Sequence, residues 1–283
     1  MQAAVEKLRK YRDENYRCHD EVLEIWQKHL SQRNLSSLGD EKWLILEQVL
    51  KSALQCNQLD VADKCTEILA KQFKQTSRRI STLYAMSYEA RDDYDRADKI
   101  YQSLSQDNET DSTVRKRQIS ILKAQNKIKD AINELNGYLQ LYQTDVEAWS
   151  ELCELYLIEH DYAKAAFCAE ELLLINPHNH LNHERYASIR YSQGLYEVAR
   201  SYYFSAYKIN SSNIRTLYGI LLTSMNLMNR NLNTTSTTSA LNRDENLEYI
   251  SWAKDKLIEK YKEQSNQELT SIVDISLQNL MTG

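Results

Sequence analysis

Residues that interrupt helices are scarce in this sequence. Among its 283 residues there are one proline and five glycines. Proline lacks a backbone N–H and glycine loses the most conformational freedom on ordering, so both collect at turns, bulges and element ends. Their scarcity indicates helices joined by short turns rather than a sheet-rich fold. We therefore expect an all-α protein.

Long apolar runs and paired cysteine motifs are missing as well. No apolar stretch reaches the roughly 18–20 residues that a membrane-spanning helix needs, and residues 1–7 have no apolar signal core. The five cysteines never occur in a Cys-x-x-Cys spacing, which favours reduced thiols over a metal or redox motif. From these absences we expect a protein of the cytosol or nucleus.

An excess of positive charge is also missing. The chain has 40 acidic and 35 basic residues, for a net charge of −5. A general nucleic-acid binder would have a basic face, so no nucleic-acid partner is expected. Two local basic clusters occur, Arg78-Arg79 and Arg115-Lys116-Arg117. We interpret both as solvated helix faces, and contact with an acidic partner or with lipid headgroups is the alternative.

Alanine recurs at a fixed interval along much of the chain. Ala97, Ala131, Ala165 and Ala199 are each 34 residues apart, and Ala62 lies 35 residues before Ala97. Two helix axes approach to about 8–10 Å only where the side chains between them are small. The interval therefore predicts a series of helical hairpins that pack at these alanines.

Residues 145–177 show the pattern of a single hairpin. Trp149, Leu152 and Tyr156 form one stripe of a first helix, and Pro177 ends the second helix because it lacks an N–H. Trp, Leu, Tyr, Ala and Pro at these spacings resemble the tetratricopeptide pattern of 34 residues. We therefore predict a tetratricopeptide-type α-solenoid of stacked helical hairpins, with capping helices at both ends.

The pattern divides residues 1–283 into parts of one solenoid. Residues 1–75 are expected to form capping or degenerate repeat helices, with one helix over residues 3–30. Clear repeats are expected over residues 78–226. The predicted parts beyond these repeats are a flexible polar loop at 229–243 and C-terminal helices at 244–283, the last of them over residues 267–280.

Residues suited to chemistry are few. His178, His180 and His183 resemble a metal cluster, but no cysteine or carboxylate completes a tetrahedral set within the motif. Cys153 and Cys168 fall on packing faces and are most simply core thiols. The sequence contains no Gly-rich phosphate loop and no Gly-x-Ser-x-Gly elbow. We expect no metal, no cofactor, no catalytic residue and no enzymatic activity.

A stack of helical hairpins presents a concave surface formed by its first helices. The residues expected to face this hollow are Lys116, Lys123, Glu147, Ser150, Glu154, Leu157, Glu184, Ser188 and Tyr191. Acidic, basic and apolar groups are mixed among them. Such a surface suits an extended peptide or a helical segment of a partner protein.

Four runs extend the likeness beyond the generic repeat. They read AWSELCELY at 148–156, EHDYAKAAFC at 159–168, NPHNHL at 176–181 and YISWA at 249–253. The first three form one repeat and the start of the next, and the fourth falls in the predicted C-terminal helices. On these runs the chain resembles the family of subunit 2 of the endoplasmic reticulum membrane protein complex.

The resemblance implies a scaffold on the cytosolic face of the endoplasmic reticulum membrane, attached peripherally through its partners. It implies binding to the cytosolic parts of membrane subunits 3 and 5 and pairing with cytosolic subunit 8 or 9. The complex would support insertion of transmembrane segments of tail-anchored and multipass proteins. The alternative is a free cytosolic tetratricopeptide adaptor or co-chaperone that binds peptide tails.

Overall fold

The computed structural model describes residues 2–31, 35–74, 77–108, 110–232, 237–264 and 274–275. Helices are the regular secondary structure throughout these residues, as the sequence predicts. The chain forms two compact units, Met1–Ala131 and Ile132–Gly283, and the division falls within one helix. That the hairpins form a single solenoid over residues 1–283 stays a prediction.

The helices follow one another in antiparallel hairpins with short connections. Their bounds are α1 (Gln2–Asp13), α2 (His19–Ile25) followed by a π-helical turn (Trp26–Leu30) and a 3-10 turn (Leu35–Leu38), α3 (Glu41–Gln55), α4 (Leu59–Gln72), α5 (Arg78–Glu89), α6 (Tyr94–Asp107), α7 (Ser112–Ala124), α8 (Ile128–Leu141), α9 (Val146–Ile158), α10 (Tyr162–Ile175), α11 (His180–Ser192), α12 (Tyr196–Ile209), α13 (Ile214–Leu232) and α14 (Thr237–Gln264). The second helices, α4, α6, α8, α10 and α12, are each 14 residues long. The pairs α5–α6, α7–α8, α9–α10 and α11–α12 all fall within residues 78–226, where the sequence predicts the repeats.

One left-handed residue closes the turn inside each of the five hairpins from α3–α4 to α11–α12. The backbone at His160 has φ +57°, and the Asp161 N–H donates to the Tyr156 carbonyl at 2.9 Å. Together with the bond from His160 N–H to the Leu157 carbonyl, this is a Schellman motif. The same conformation recurs at Asn57, Asp92, Asn126, His160 and Gly194. These residues are spaced by 34 or 35, so the turn repeats with the same period as the alanines.

The periodic alanines occupy one position in the five hairpins from α3–α4 to α11–α12. Each is the fourth residue of its second helix, and each is fully buried: Ala62, Ala97, Ala131, Ala165 and Ala199. A longer side chain there would separate the helices of the hairpin. The predicted correspondence of these alanines is confirmed.

Unit Met1–Ala131 has an apolar core that includes Val5 and Leu8 of α1 and Ile45 and Leu50 of α3. A second cluster joins α5, α6 and α7 around the fully buried ring of Tyr101. The Tyr101 hydroxyl donates to the Glu89 carboxylate, which also accepts from Arg117 Nη1 at 3.2 Å. Burial, reinforced by the Glu89 charge, raises the pKa of Tyr101 well above its usual range.

Unit Ile132–Gly283 has a core in which α14 packs against α13 through Ile250 and Leu257. Between α12 and α13 the backbone of Gly219 lies against the aromatic ring of Tyr203. A Cβ atom added at Gly219 would be 2.5 Å from that ring. Glycine is therefore required for this close approach of two helices.

The predicted single helix over residues 3–30 is wrong. The structure ends α1 at Asp13 and starts α2 at His19, because Asn15 adopts φ +53° and the Tyr16 N–H donates to the Tyr11 carbonyl at 2.8 Å. This is the same Schellman closure that ends the first helix of each repeat. Asparagine adopts the left-handed conformation more readily than most residues, which allows the chain to turn here without glycine.

The structure also differs from the predicted flexible loop at 229–243. Helix α13 continues to Leu232 and helix α14 begins at Thr237, while residues 233–236 lie outside the described residues. Asn, Thr and Ser weaken a helix by only about 0.7 kcal/mol per residue relative to Ala, and no Gly or Pro occurs from 220 to 282. Of the predicted helix over 267–280, Asp274 and Ile275 are described, and both are helical; its remainder lies outside the described residues.

Replacing Gly219 with alanine tests the close approach of α12 and α13. In an unobstructed helix interior this change would stabilise by about 1 kcal/mol. Here the Cβ meets the Tyr203 ring, so we expect Gly219→Ala to lower the free energy of unfolding by about 1–3 kcal/mol. Urea unfolding followed by circular dichroism measures the change. In a Tyr203→Leu background Gly219→Ala should lower the free energy of unfolding by less than it does in the natural sequence. An equal loss in both backgrounds would show that contact with the Tyr203 ring is not the cause.

Candidate protein-binding surface

The first helices of the repeats begin in the same register. Asp111, Asp145, Asn179 and Asn213 are 34 residues apart and each precedes a first helix. Each side chain accepts a backbone N–H from the first helical turn; Asp145 Oδ1 and Ala148 N, for example, are 3.1 Å apart. Capping fixes where each helix starts. Residues one period apart therefore occupy equivalent positions on α7, α9, α11 and α13.

Helices α9, α11 and α13 form a groove within unit Ile132–Gly283, called here the α11 groove. It has a volume of about 410 Å³. The residues lining it are Leu157, Leu181, Glu184, Arg185, Ser188, Ile189, Ser192 and Arg215. Three of the residues predicted for the concave surface, Leu157, Glu184 and Ser188, are thereby brought to one site.

Arg185 connects two more of the predicted residues to the α11 groove. Its Nη1 donates to Ser150 Oγ at 2.5 Å and its Nη2 donates to Glu154 Oε1 at 3.0 Å. The Glu154 side chain is 55% exposed. An ion pair this open to water contributes about 0–1 kcal/mol. Arg185 can therefore exchange Glu154 for a carboxylate of a bound partner at little cost.

Glu184 has a different setting from the other predicted residues. It is only 7% exposed. Its carboxylate accepts from Asn213 Nδ2 at 2.6 Å and pairs with Arg215 Nε at 2.8 Å, so it joins α11 to the start of α13. A carboxylate held in this way is a structural contact first, and its role in binding a partner stays a prediction.

The remaining predicted residues are spread over both units. Tyr191 accepts a hydrogen bond from Asn226 Nδ2 at 2.9 Å, which ties α11 to α13. Glu147 is exposed on α9. Lys116 and Lys123 lie on α7, in unit Met1–Ala131, and are partly exposed. The structure thus gathers Ser150, Glu154, Leu157, Glu184 and Ser188 around one groove, and the other four residues lie outside its lining.

Sequence reasoning did not include Arg185, Ile189, Ser192 and Arg215 in the binding surface. The sequence does indicate the position of Arg185. This residue follows Ser150 by 35 residues, about one repeat, so it lies on the next first helix beside α9. Glu154 lies one helical turn beyond Ser150 and carries the opposite charge. Long side chains that link successive repeats are therefore recognisable from charge complementarity at about one period.

The histidines around Pro177 serve the connection between two repeats. His183 Nε2 donates to the Pro177 carbonyl at 2.8 Å, and Asn210 Nδ2 lies 3.0 Å from His180 Nε2. Within the described ranges, no three side chains of the His, Cys, Asp or Glu type are grouped as metal ligands. These contacts explain the polar character of the motif without a metal.

The cysteines of the α9–α10 hairpin are buried thiols. Burial raises the pKa of Cys153 to about 11 and that of Cys168 to about 12. The Cys153 thiol donates to the Ala165 carbonyl at 3.4 Å. Since the thiolate is the nucleophile, neither side chain is poised for catalysis near neutral pH.

Comparison with known proteins places this architecture in a family. The model of the EMC2 TPR-like repeat domain matches residues 68–202. The chain is 40% identical over 260 residues to ER membrane protein complex subunit 2-A of Xenopus laevis, covering 91% of this chain and 85% of that protein. The chain belongs to the family of subunit 2 of the endoplasmic reticulum membrane protein complex. A Dictyostelium discoideum member of the subunit 2 family is 27% identical over 242 residues, covering 81% of this chain and 73% of that protein.

Solved structures of low sequence identity share the fold of this subunit 2 family member. The C-terminal part of a tetratricopeptide repeat protein from Cytophaga hutchinsonii has a TM-score of 0.56 at 15% identity, covering 93% of this chain and 97% of that one. A tetratricopeptide repeat protein from Parabacteroides merdae has a TM-score of 0.50 at 12% identity, covering 84% and 99%. The predicted tetratricopeptide fold is confirmed, and it is typical of scaffold proteins rather than enzymes. No helix within the described ranges combines the length and hydrophobicity required to span a bilayer.

Alanine substitutions of Glu184 and Glu154 test which of the two glutamates stabilises the fold. We expect Glu184→Ala to lower the free energy of unfolding by about 1–3 kcal/mol, because it removes one acceptor of the partly buried Asn213 and the carboxylate that pairs with Arg215. Glu154→Ala should cost less than about 1 kcal/mol, since it removes an exposed ion pair. Urea unfolding of both variants is the measurement. Equal costs would contradict the assignment of Glu184 as the contact that joins α11 to α13.

Proposed function

We propose that this chain is a scaffold subunit of the endoplasmic reticulum membrane protein complex, on the cytosolic face of the membrane. It binds the cytosolic parts of membrane subunits 3 and 5 and pairs with cytosolic subunit 8 or 9. Through these contacts it supports insertion of tail-anchored and multipass proteins. The observation that carries the proposal is the 40% identity to a named subunit 2 over 91% of the chain.

The α11 groove supports a binding role because it combines apolar and charged groups. Leu181 is exposed on α11 and Leu157 is half-buried on α9, so two apolar side chains are open to a partner. Burying such surface contributes roughly 25 cal/mol per Å². The neighbouring Arg185–Glu154 pair adds charges that select the orientation of the bound segment.

The proposed role needs no covalent chemistry from this chain. Rigid hairpins hold Leu157, Leu181 and Arg185 in a fixed arrangement, so little conformational entropy is lost when a partner segment docks. The partner segment, rather than this chain, becomes ordered on binding, as expected for an extended tail or helix held by a tetratricopeptide surface. This chain would carry no insertase chemistry of its own.

Charge reversal on α9 tests the proposed site. We expect the double variant Glu147→Lys/Glu154→Lys to recover severalfold less of the membrane subunits when the tagged chain is purified in mild detergent. Both residues are exposed, so the variant should keep its helical circular dichroism spectrum and melting temperature. The matched control is Glu159→Lys, an exposed glutamate on the turn after α9 that lies outside the helix face carrying Glu147 and Glu154. Full recovery of the membrane subunits by the double variant would place their binding elsewhere.

Cell fractionation separates the proposed function from that of a free cytosolic adaptor. A peripheral subunit should sediment with membranes, leave them on carbonate washing, and shift to the soluble fraction when its membrane partners are depleted. A free adaptor would be soluble in every condition. Solubility in cells that retain all membrane subunits would overturn the proposed function, whatever the α11 groove binds.

A further inference from the structure

A second groove lies on the first helices of unit Met1–Ala131, and its charge differs from that of the α11 groove. Two adjoining cavities, of about 690 Å³ and 340 Å³, share His19, Glu47, Lys51 and Arg79 in their linings. Together they extend from α1 across α3 to α5 and α7. This continuous feature is called here the basic groove.

Cations outnumber carboxylates in the lining of the basic groove. Its described basic residues are Arg12, Lys51, Arg78, Arg79 and Arg117. The acidic residues that line it are Glu47 and Asp111. Arg78 pairs with Asp111, and Arg117 pairs with Glu89, which lies outside the lining. The excess of positive charge is therefore concentrated at Lys51, Arg79 and Arg12.

One carboxylate is shared by two cations at the centre of the groove. Lys51 Nζ lies 2.7 Å from Glu47 Oε1, and Arg79 Nε donates to Glu47 Oε2 at 2.5 Å. The Arg79 side chain is nevertheless 63% exposed. A single negative charge offsets one of the two positive charges, so about one remains for a ligand.

Arg12 is also incompletely paired, at the α1 end of the groove. The nearby carboxylate of Glu41 accepts two bonds from Arg9, at 2.9 and 2.7 Å, and Arg12 Nη2 reaches it only at 3.5 Å. Arg12 Nη1 and Gln48 Oε1 are buried without a hydrogen-bond partner among the described residues. Buried donors and acceptors are nearly always satisfied, so these two groups mark a polar position at the α1 end of the groove.

We propose that the basic groove binds an acidic, extended segment of a partner polypeptide, with one of its carboxylates between Lys51 and Arg79. The charge of the lining requires an acidic ligand, and the groove shape favours a chain over a flat lipid surface. Apolar walls at Leu83 and Met86 suit side chains between the acidic residues. The inference deepens the proposed function, and rests on it only for the partner's identity as another subunit of the complex.

Direct binding to the purified full chain tests this inference. The probe is a fluorescein-labelled peptide of about twelve alternating Glu and Ser residues, which spans roughly 40 Å when extended. A peptide with Lys in place of Glu is the control, and fluorescence anisotropy measures both. We expect the acidic peptide to bind, the Lys peptide not to bind, and the affinity to fall as salt is added.

Substitutions of exposed arginines test whether the peptide binds in the basic groove. Arg79→Gln leaves Glu47 paired with Lys51, and should weaken binding by about threefold to fivefold. Arg79→Glu should weaken it by about tenfold or more, since it places a negative charge against the ligand. The matched control is Arg96→Glu on α6, a 68% exposed arginine that also pairs with a single carboxylate, Asp93. Circular dichroism melting confirms that each variant remains folded.

Three results would overturn the inference: equal binding of the Lys peptide, equal weakening by Arg96→Glu, or preference for phosphatidylserine-rich vesicles over the peptide with the same dependence on Arg79. The last result would assign the groove to a lipid surface.

The test is independent of the proposed function. A chain that recovers the membrane subunits but ignores the acidic peptide contradicts the inference alone, whereas a peptide-binding chain that never joins the membrane subunits contradicts the proposed function alone.

Discussion

Close packing of two helices at a buried alanine is the constraint on which the rest of this structure depends. Ala165, the fourth residue of α10, lies five residues after His160, which closes the hairpin turn in the left-handed conformation. The turn and the alanine together set the separation and the register of α9 and α10. Because the same pair recurs at intervals of 34 or 35 residues, the inward face of every first helix is set by the same two local features. A larger residue at the alanine position would therefore move a whole row of side chains rather than one.

The recurring features were visible in the sequence because each is local. Ala165 and its counterparts act through their small size, and this property belongs to the residue type. The break at Asn15 was missed because asparagine is compatible with both a helix interior and a left-handed turn, and the choice depends on how α1 packs against later helices. Helix α14 begins earlier than the polar composition indicates because propensity differences of about 0.7 kcal/mol are small beside tertiary packing.

Side-chain pairing across repeats is the part of the candidate site that local patterns predict least well. Glu154 and Glu184 are both acidic residues on first helices, and the sequence gives them equal standing. In the structure Glu154 is an exposed partner of Arg185, whereas Glu184 is buried against Asn213 and Arg215. The difference arises because Asn213 caps α13 and presents its amide to the preceding helix. A residue's role therefore depends on what the next repeat places opposite it, which periodicity alone does not specify.

The two grooves show how one scaffold can prepare sites of different chemistry. Both lie on first helices, and in both the accessible cations are engaged in ion pairs: Arg185 with the exposed Glu154, and Arg79 with the mostly buried carboxylate of Glu47. In the α11 groove Arg185 faces a single exposed glutamate and the two leucines are open. In the basic groove Lys51 and Arg79 compete for Glu47, so part of their charge is unmatched before any partner arrives. The repeat backbone fixes where such side chains stand, and the ratio of cations to carboxylates at each site then decides whether a partner must be acidic or merely amphipathic.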